Sequence, residues 1–104
     1  MSGPLPVRIV RSASRAIIET IEWWAANRPK APDALALELE RAFQLLASQP
    51  LIGSRARNVK LAGVRRLHLP RVHYHLYYRV TSNPDVVEIL ALWHTSRGVS
   101  PDLR

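Results

Sequence analysis

The sequence predicts a single α+β domain, in which an N-terminal strand and an antiparallel helical hairpin pack on a curved antiparallel sheet in the order β-α-α-β-β-β. Two observations predict this fold. Apolar residues recur at helical spacing in the first half of the chain, and they alternate with polar residues in much of the second half. At 104 residues the chain has the length of one domain, so we assign residues 1–104 to a single unit with flexible tails at residues 1–6 and 98–104.

The first half contains one short strand and two helices. Residues 7–10 are rich in β-branched side chains and predict the strand, after which Ser12 or Ser14 is expected to cap the first helix. The apolar stripe of that helix consists of Ile17, Ile18, Ile21, Trp24 and Ala25. A second helix is expected over residues 32–48, with a proline in its first turn. The short connection between the helices favours an antiparallel hairpin.

The second half contains extended segments. Residues 49–53 break the helical pattern, and residues 54–63 predict a basic loop with a short extended piece. Alternation of apolar and polar side chains predicts strands over residues 64–69 and 72–80, and residues 86–94 predict a further strand. Because the last of these contains an unbroken apolar run, we expect it to be a central strand that is covered on both faces.

The strand over residues 72–80 separates two kinds of side chain, because successive residues of a strand point to opposite faces of the sheet. Its packing face consists of Tyr74, Leu76, Tyr78 and Val80. Its cationic and aromatic face consists of His73, His75, Tyr77 and Arg79. Titratable and planar side chains are concentrated on this second face, which is therefore the first place to look for an anion-binding site.

The charge is unevenly distributed along the chain. The formal net charge is +7, and residues 51–104 carry +6 of it. Thirteen of the fifteen basic residues are arginines, whose planar guanidinium groups favour paired hydrogen bonds to phosphate or carboxylate. This asymmetry indicates an acidic partner, which could be nucleic acid, an acidic protein or a membrane surface. A charge that serves only solubility is the alternative.

The residue types present weigh against several classes of site. The sequence contains no cysteine, which excludes disulfides and thiolate chemistry. Its four histidines lack the companion ligands of known metal sites, so we expect neither a metal nor another cofactor. No nucleophile elbow and no glycine-rich phosphate loop occurs. The N-terminus lacks the apolar segment of a signal peptide, and no apolar run has the length of a membrane span, so we expect a cytoplasmic protein.

Metal-independent RNA cleavage is the catalytic chemistry that the sequence leaves open. This reaction requires a general base, a general acid and a cationic cradle for the phosphate. His75, Tyr77, Arg79, His94 and Arg97 offer these groups. The alternative is that the histidine ends a core strand while the arginines are solvated.

The adjacent residues Trp23 and Trp24 cannot both face one core. Neighbouring side chains on a helix point about 100° apart, so we expect one indole at the edge of the protein. An exposed indole is typical of a partner-binding surface, although a rim residue covered by the protein's own loop is equally compatible with the pattern.

Five segments taken in order resemble the RelE/ParE superfamily of toxins from bacterial type II toxin–antitoxin systems. They are residues 18–25, 50–53, 63–67, 74–80 and 87–97, which cover nearly the whole chain. The resemblance implies the fold predicted above and a toxin function. RelE-like members cut messenger RNA on the ribosome, whereas ParE-like members are associated with inhibition of DNA gyrase.

The resemblance is closer to the ParE branch. The ribonuclease branch usually has an arginine at the position of His75 and a catalytic tyrosine or histidine near the C-terminus, but residues 98–104 contain no tyrosine and place Pro101 there. The ending Trp-His-Thr-Ser-Arg at residues 93–97 resembles the ParE branch. We therefore expect a toxin that binds gyrase and has no catalytic residues.

Two alternatives remain. The first is a ribosome-dependent mRNA endonuclease that uses His75, His94 and Arg97. The second is an inactive homologue that acts only as a transcriptional co-repressor with its antitoxin, which the basic loop containing Arg55, Arg57 and Lys60 would support.

The resemblance also implies two binding surfaces. Target-binding candidates are Arg65, Arg66, His73, His75, Tyr77, Arg79, His94 and Arg97. Candidates for contact with a cognate antitoxin, whose acidic C-terminal segment is expected to wrap the toxin, are Trp23, Trp24, Leu37, Arg41 and Leu45. We expect operator DNA to be reached only through the antitoxin, and we expect no membrane partner.

Overall fold

The computed structural model describes residues 3–104, so the first two residues of the predicted N-terminal tail lie outside the described part. Its elements are β1 (Val7–Ile9), α1 (Arg11–Asn27), α2 (Ala34–Ser48), β2 (Ser54–Arg55), β3 (Arg65–Leu69), β4 (Tyr74–Thr81) and β5 (Val86–His94). The α+β class and the predicted order are confirmed, with β2 as the short extended piece of the basic loop. Neither helix within residues 3–104 combines the length and apolar character needed to cross a membrane.

The five strands form one sheet in the order β1-β5-β4-β3-β2. The neighbours β5, β4, β3 and β2 pair antiparallel, whereas β1 runs parallel to β5, so the sheet is mixed. A β-bulge between Tyr77 and Tyr78 shifts the register of β4 against β5. The prediction that residues 86–94 form a central strand is confirmed, because β5 lies between β1 and β4.

The two helices cover one face of the sheet, which we call the helix side. The core between them is closed tightly: Leu35, Leu46, Leu76, Tyr78 and Ile89 all have no exposed side-chain surface. These residues come from α2, β4 and β5, and α1 adds further apolar side chains to the same cluster. The helical stripe and the strand alternation predicted from the sequence therefore meet in this core.

The start of α1 corrects one prediction. Ser12 and Ser14 lie inside the helix, and the N-cap residue is Val10, which makes no side-chain capping bond. The reason is that β1 leads directly into α1, since the Val10 N–H donates to Ile89 O at 3.1 Å and leaves no room for a separate capping turn. The predicted stripe also includes two exposed residues, Ile18 and Ala25, which face away from the core.

The opposite face of the sheet, which we call the outer face, carries a smaller apolar cluster. Val64, Tyr77 and Leu90 are buried there. The basic loop and the C-terminal residues cover them, and Leu103 packs directly against the cluster. The sequence predicts a flexible tail over residues 98–104, but these residues dock on the protein. The carbonyl of Leu103 accepts hydrogen bonds from the N–H groups of residues 60 and 61, both at 3.1 Å.

Candidate functional site

The outer face brings several of the predicted target-binding residues together. Strand register places His75 opposite Trp93 and Arg66 opposite Tyr77. With Arg97 beyond the end of β5, they line a cleft of about 500 Å³. Side chains at paired positions of neighbouring strands share a face, which explains why residues distant in sequence converge here.

Trp93 and Arg97 form one side of this cleft. The guanidinium of Arg97 lies 4.0 Å from the centre of the Trp93 ring, a cation–π arrangement. The indole N–H donates to the carbonyl of Val99 at 2.8 Å. The segment after β5 is thus folded back over the tryptophan, whose ring is covered on that side by the protein's own arginine.

His75 is the titratable group in the cleft with a perturbed pKa. Partial burial lowers the pKa of His75 below its ordinary value, and the neighbouring charges of Arg66 and His68 lower it further. The ring centroids of His75 and His68 are 5.0 Å apart, so two protonated imidazoles there would repel one another. Burial and both neighbouring charges therefore favour the neutral form of His75.

His94 belongs to the other side of the sheet. Its ring meets the ring of Tyr74 edge-on at 5.0 Å, and Tyr74 packs on the helix-side core. The Nδ1 atom of His94 accepts from the Ser96 N–H at 3.1 Å. Because His94 follows Trp93 in β5 and side chains alternate along a strand, His75 and His94 project to opposite faces, although His94 also reaches the rim of the outer cleft.

Three predicted target-binding residues lie outside this cleft. Arg65 points to the helix side and donates to the Gly53 carbonyl at 2.8 Å. His73 precedes β4 with a left-handed φ of 62°, and it lines a different cleft. The prediction that it shares a strand face with His75 is wrong, because the turn before β4 reverses the chain at this residue.

Arg79 is the third predicted target-binding residue outside the cleft, and its guanidinium forms an ion pair with Glu88. The Arg79 Nε donates to Glu88 Oε1 at 2.8 Å, and Arg8 contacts the other oxygen of the same carboxylate. The hydrogen bond from Arg79 is the main reason that the pKa of Glu88 is lowered, and the bond from Arg8 acts in the same direction. Arg79 therefore links β4 to β5 through Glu88, and it does not line the cleft.

A second cleft of about 460 Å³ adjoins the first. It is lined by Ser54, Arg55, Arg57, Asn58, Arg66 and Ser100, and it shares the last two and Asn58 with its neighbour. We call the two together the outer groove. Among residues 3–104, no Asp or Glu lines the outer groove.

Several residues of the outer groove were missing from the predicted site. Trp93, Asn58 and Ser100 are among the lining residues that were not predicted. Their positions depend on the register of β4 against β5 and on the docking of the C-terminal segment, neither of which is encoded in a local pattern. One sequence signal for the Trp93–Arg97 stack was available, namely a Trp at the end of a strand with an Arg four residues later.

The predicted antitoxin-binding residues divide by exposure. Trp23 is 48% exposed, and the guanidinium of Arg28 lies 5.2 Å from its ring centre. Trp24 is buried in the helix-side core, and its indole N–H donates to Ala31 O at 2.9 Å. The prediction that one indole lies at the edge is confirmed, and the buried position of Trp24 removes it as a surface anchor.

The remaining antitoxin candidates lie on α2. Leu37 is exposed and lines a cleft of about 450 Å³, in which Arg41 donates to Glu38 at 3.2 Å. Leu45 is half-buried. This cleft shares Arg71 with the cleft that Trp23 lines, so the two form a continuous surface that we call the helix-side surface.

Metal-ligating side chains do not gather anywhere in residues 3–104: no group of three or more His, Cys, Asp or Glu could hold an ion there. The outer groove consequently offers guanidinium, imidazole, hydroxyl and amide groups. Such a set can bind anions by charge and hydrogen bonding.

Comparison with known proteins identifies the family. Residues 7–99 match the family model described as the ParE toxin of the type II toxin–antitoxin system, parDE. The chain belongs to the ParE toxin family. It is accordingly a toxin of the type II class, which has an antitoxin as its partner, and the resemblance found in the sequence is confirmed. No curated protein shows significant sequence similarity to it.

Solved toxin structures have a similar fold. The chromosomal ParDE system from P. aeruginosa is similar with a TM-score of 0.71 and 18% identity, over 91% of this chain and 100% of that one. The toxin–antitoxin complex RelBE2 from Mycobacterium tuberculosis is similar with a TM-score of 0.63 and 29% identity, over 88% of this chain and 99% of that one. The isolated E. coli RelE toxin is similar with a TM-score of 0.55 and 16% identity, over 90% of this chain and 87% of that one, which shows a shared fold.

Proposed function

We propose that this ParE-family chain stops growth by binding DNA gyrase, without catalysing a reaction, and that a cognate antitoxin neutralises it. The chain matches the ParE family, the branch whose resemblance is associated with gyrase inhibition. The outer groove is the proposed contact surface for gyrase together with the DNA that gyrase holds, with Arg66, His75 and Arg97 as its central residues.

The position of the two histidines carries the proposal. RNA cleavage by general acid–base catalysis needs a proton acceptor and a proton donor within reach of one phosphate. His75 and His94 project to opposite faces of the sheet, and no carboxylate in residues 3–104 lines the outer groove to take the place of either. Tyr77, the nearest phenol, is only 2% exposed. His94 also lines the cleft, but its ring contacts Tyr74 on the helix side. We infer from this division that the groove supplies charge without an acid–base pair.

An mRNA endonuclease acting on the ribosome is the second candidate. Arg66, His75 and Arg97 share one cleft, and a neutral His75 can accept a proton. In this candidate His94, which also lines the cleft, is the proton donor, in keeping with the predicted set of His75, His94 and Arg97.

The stoichiometry of inhibition separates the two candidates. We expect the purified chain to abolish DNA supercoiling by gyrase in proportion to the amount of toxin added, because each bound toxin inactivates one site. Messenger RNA on translating ribosomes should stay intact at the same concentrations. Cleaved mRNA at a toxin level far below that of the ribosomes, with supercoiling unaffected, would contradict the proposal. Loss of neither activity would favour the inactive co-repressor.

Cells provide an independent measurement. Tightly controlled expression should induce the DNA-damage response before translation falls, because blocked gyrase interrupts DNA metabolism first. A prompt arrest of translation with normal plasmid supercoiling would point to the ribosome instead.

The helix-side surface is the proposed antitoxin site. Trp23 and Leu37 supply exposed apolar area. Arg28, Arg41 and Arg71 add positive charge for an acidic peptide, and Arg41 and Arg71 also pair with Glu38 on the same surface.

We expect Trp23→Ala to weaken antitoxin binding by at least about 30-fold, the effect of losing a central aromatic anchor. Val99→Ala is the matched control, since Val99 is a 72% exposed apolar residue on the outer face. Calorimetric titration of the two variants measures the difference, and equal small losses would place the anchor elsewhere.

A further inference from the structure

The outer groove contains four arginines with no acidic neighbour. Arg55, Arg57, Arg66 and Arg97 line its two clefts. The ion pairs within residues 3–104 involve other arginines and none of these four. Four like charges held close together repel one another unless an anion lies among them, so the groove is built for a ligand with several negative charges.

The loop that presents two of these arginines is anchored at both ends. The Ala56 N–H donates to Val64 O at 2.9 Å, and the Ser100 hydroxyl donates to Arg57 O at 3.4 Å. Leu103 further along the C-terminal segment fixes residues 60 and 61. Because the backbone around Arg55 and Arg57 is already ordered, little conformational entropy is lost when their side chains meet an anion.

The tyrosine and tryptophan of the outer groove offer little open surface for base stacking. Proteins that bind single-stranded nucleic acid place bases on open aromatic faces. Here Tyr77 is buried, the guanidinium of Arg97 lies over the Trp93 ring, and the Trp93 N–H donates to Val99. Besides the His75 imidazole, the groove leaves open guanidinium, hydroxyl and amide groups, which are the usual contacts to phosphate oxygens. Contacts to phosphate oxygens carry no sequence readout.

We propose that the outer groove binds the phosphate backbone of duplex DNA directly and without sequence preference. A duplex presents regularly spaced phosphates with its bases stacked inside, which suits a surface that has charge but little open tyrosine or tryptophan surface. The proposal leaves the expectation for operator DNA unchanged, because it concerns binding without sequence preference. It rests on the proposed function in one respect, which is that a toxin docked on gyrase would contact the DNA that gyrase holds.

Fluorescence anisotropy with the full-length chain and a labelled duplex of about 20 base pairs tests the proposal, since each neutralised phosphate contributes about 0.9 to the slope of log affinity against log salt. We expect two unrelated duplex sequences to bind equally, with a slope of about −3 to −4 for four arginine contacts. Arg57→Gln and Arg66→Gln should each reduce the magnitude of the slope by about one. Thermal melts of both variants check that they fold.

Arg15→Gln is the matched control, because Arg15 is an exposed arginine on α1, away from the groove, and its loss changes the net charge equally. An unchanged slope in this variant supports a local site. Equal losses in all three variants would show only general attraction to a basic protein and would overturn the proposal. Tighter binding of single-stranded RNA than of duplex DNA with the same number of phosphates would also overturn it, as would no binding at about 50 mM salt.

The DNA experiment contains no gyrase, so the two proposals can fail separately. Duplex binding without inhibition of supercoiling would remove gyrase as the target and leave the groove as a DNA site. Inhibition of supercoiling without duplex binding would retain gyrase as the target and remove the groove as a DNA site.

Discussion

The two faces of the sheet are formed by the same strands but differ in packing and in charge. On the helix side, two helices close an apolar core whose largest members have no exposed surface. On the outer face, a loop and a C-terminal segment cover a cluster of only three buried residues and leave four arginines open. Stability is therefore concentrated on one face, and the other face is available for a charged partner.

Truncation of the two faces should reveal this difference in stability. We expect Leu46→Ala to lower the free energy of unfolding by about 2–5 kcal/mol, because Leu46 is fully buried and its loss leaves a cavity. Leu103→Ala, which removes a half-buried side chain from the outer cluster, should cost about 1–2 kcal/mol. Urea denaturation of both variants measures the comparison, and equal losses would mean that the C-terminal segment is as much a part of the core as α2.

The helix side could be predicted largely from the sequence. Its residues follow the helical and strand periodicities, so Leu35, Leu39 and Leu46 could be assigned to the core from their spacing alone. Residues 86–94 could likewise be assigned to a central strand, because an unbroken apolar run needs cover on both faces.

The outer face could be predicted only in part. His75 and Tyr77 follow from alternation, but the left-handed turn at His73 and the ion pair at Arg79 depend on contacts between strands that no local pattern encodes. The docking of residues 98–104 depends on a few backbone hydrogen bonds in a segment rich in loop formers, which composition alone predicts to be flexible.

Gly53 marks the point where the basic loop leaves the helix side. A Cβ at this position would lie 2.6 Å from the Tyr78 hydroxyl oxygen and 2.9 Å from the Arg66 carbonyl oxygen. The Gly53 N–H also donates to that hydroxyl at 2.9 Å. We expect Gly53→Ala to cost about 1–3 kcal/mol through overpacking, measured by thermal denaturation. Gly98→Ala is the control, because a Cβ there meets nothing within 4 Å.

Glu88 joins β1, β5 and β4 at the far edge of the outer face. Its buried carboxylate pairs with Arg8 and Arg79, so we expect Glu88→Gln to lower stability at pH 7 by about 1–3 kcal/mol. Because the pKa of Glu88 is lowered from 4.5 in the folded state, the stability it contributes is present above that value and is lost as the pH falls below it. The difference between the two proteins should therefore shrink below about pH 4.5. A difference independent of pH would assign the loss to packing.

The smallest expected effect concerns the electrostatics of the outer groove itself. Removing a positive neighbour in Arg66→Gln should raise the pKa of His75, but not above its ordinary 6.5, because burial is the larger cause of its depression and persists. NMR titration of the imidazole measures this shift, and Arg65→Gln is the control, since Arg65 donates to Gly53 O on the helix side.

A lowered pKa in the folded state means that the unfolded chain binds the proton more readily, so His75 withdraws stability as the pH falls below 6.5. Arg66→Gln should weaken this dependence on pH. An unchanged pKa would mean that burial and the neighbouring His68 lower the pKa of His75 without a contribution from Arg66.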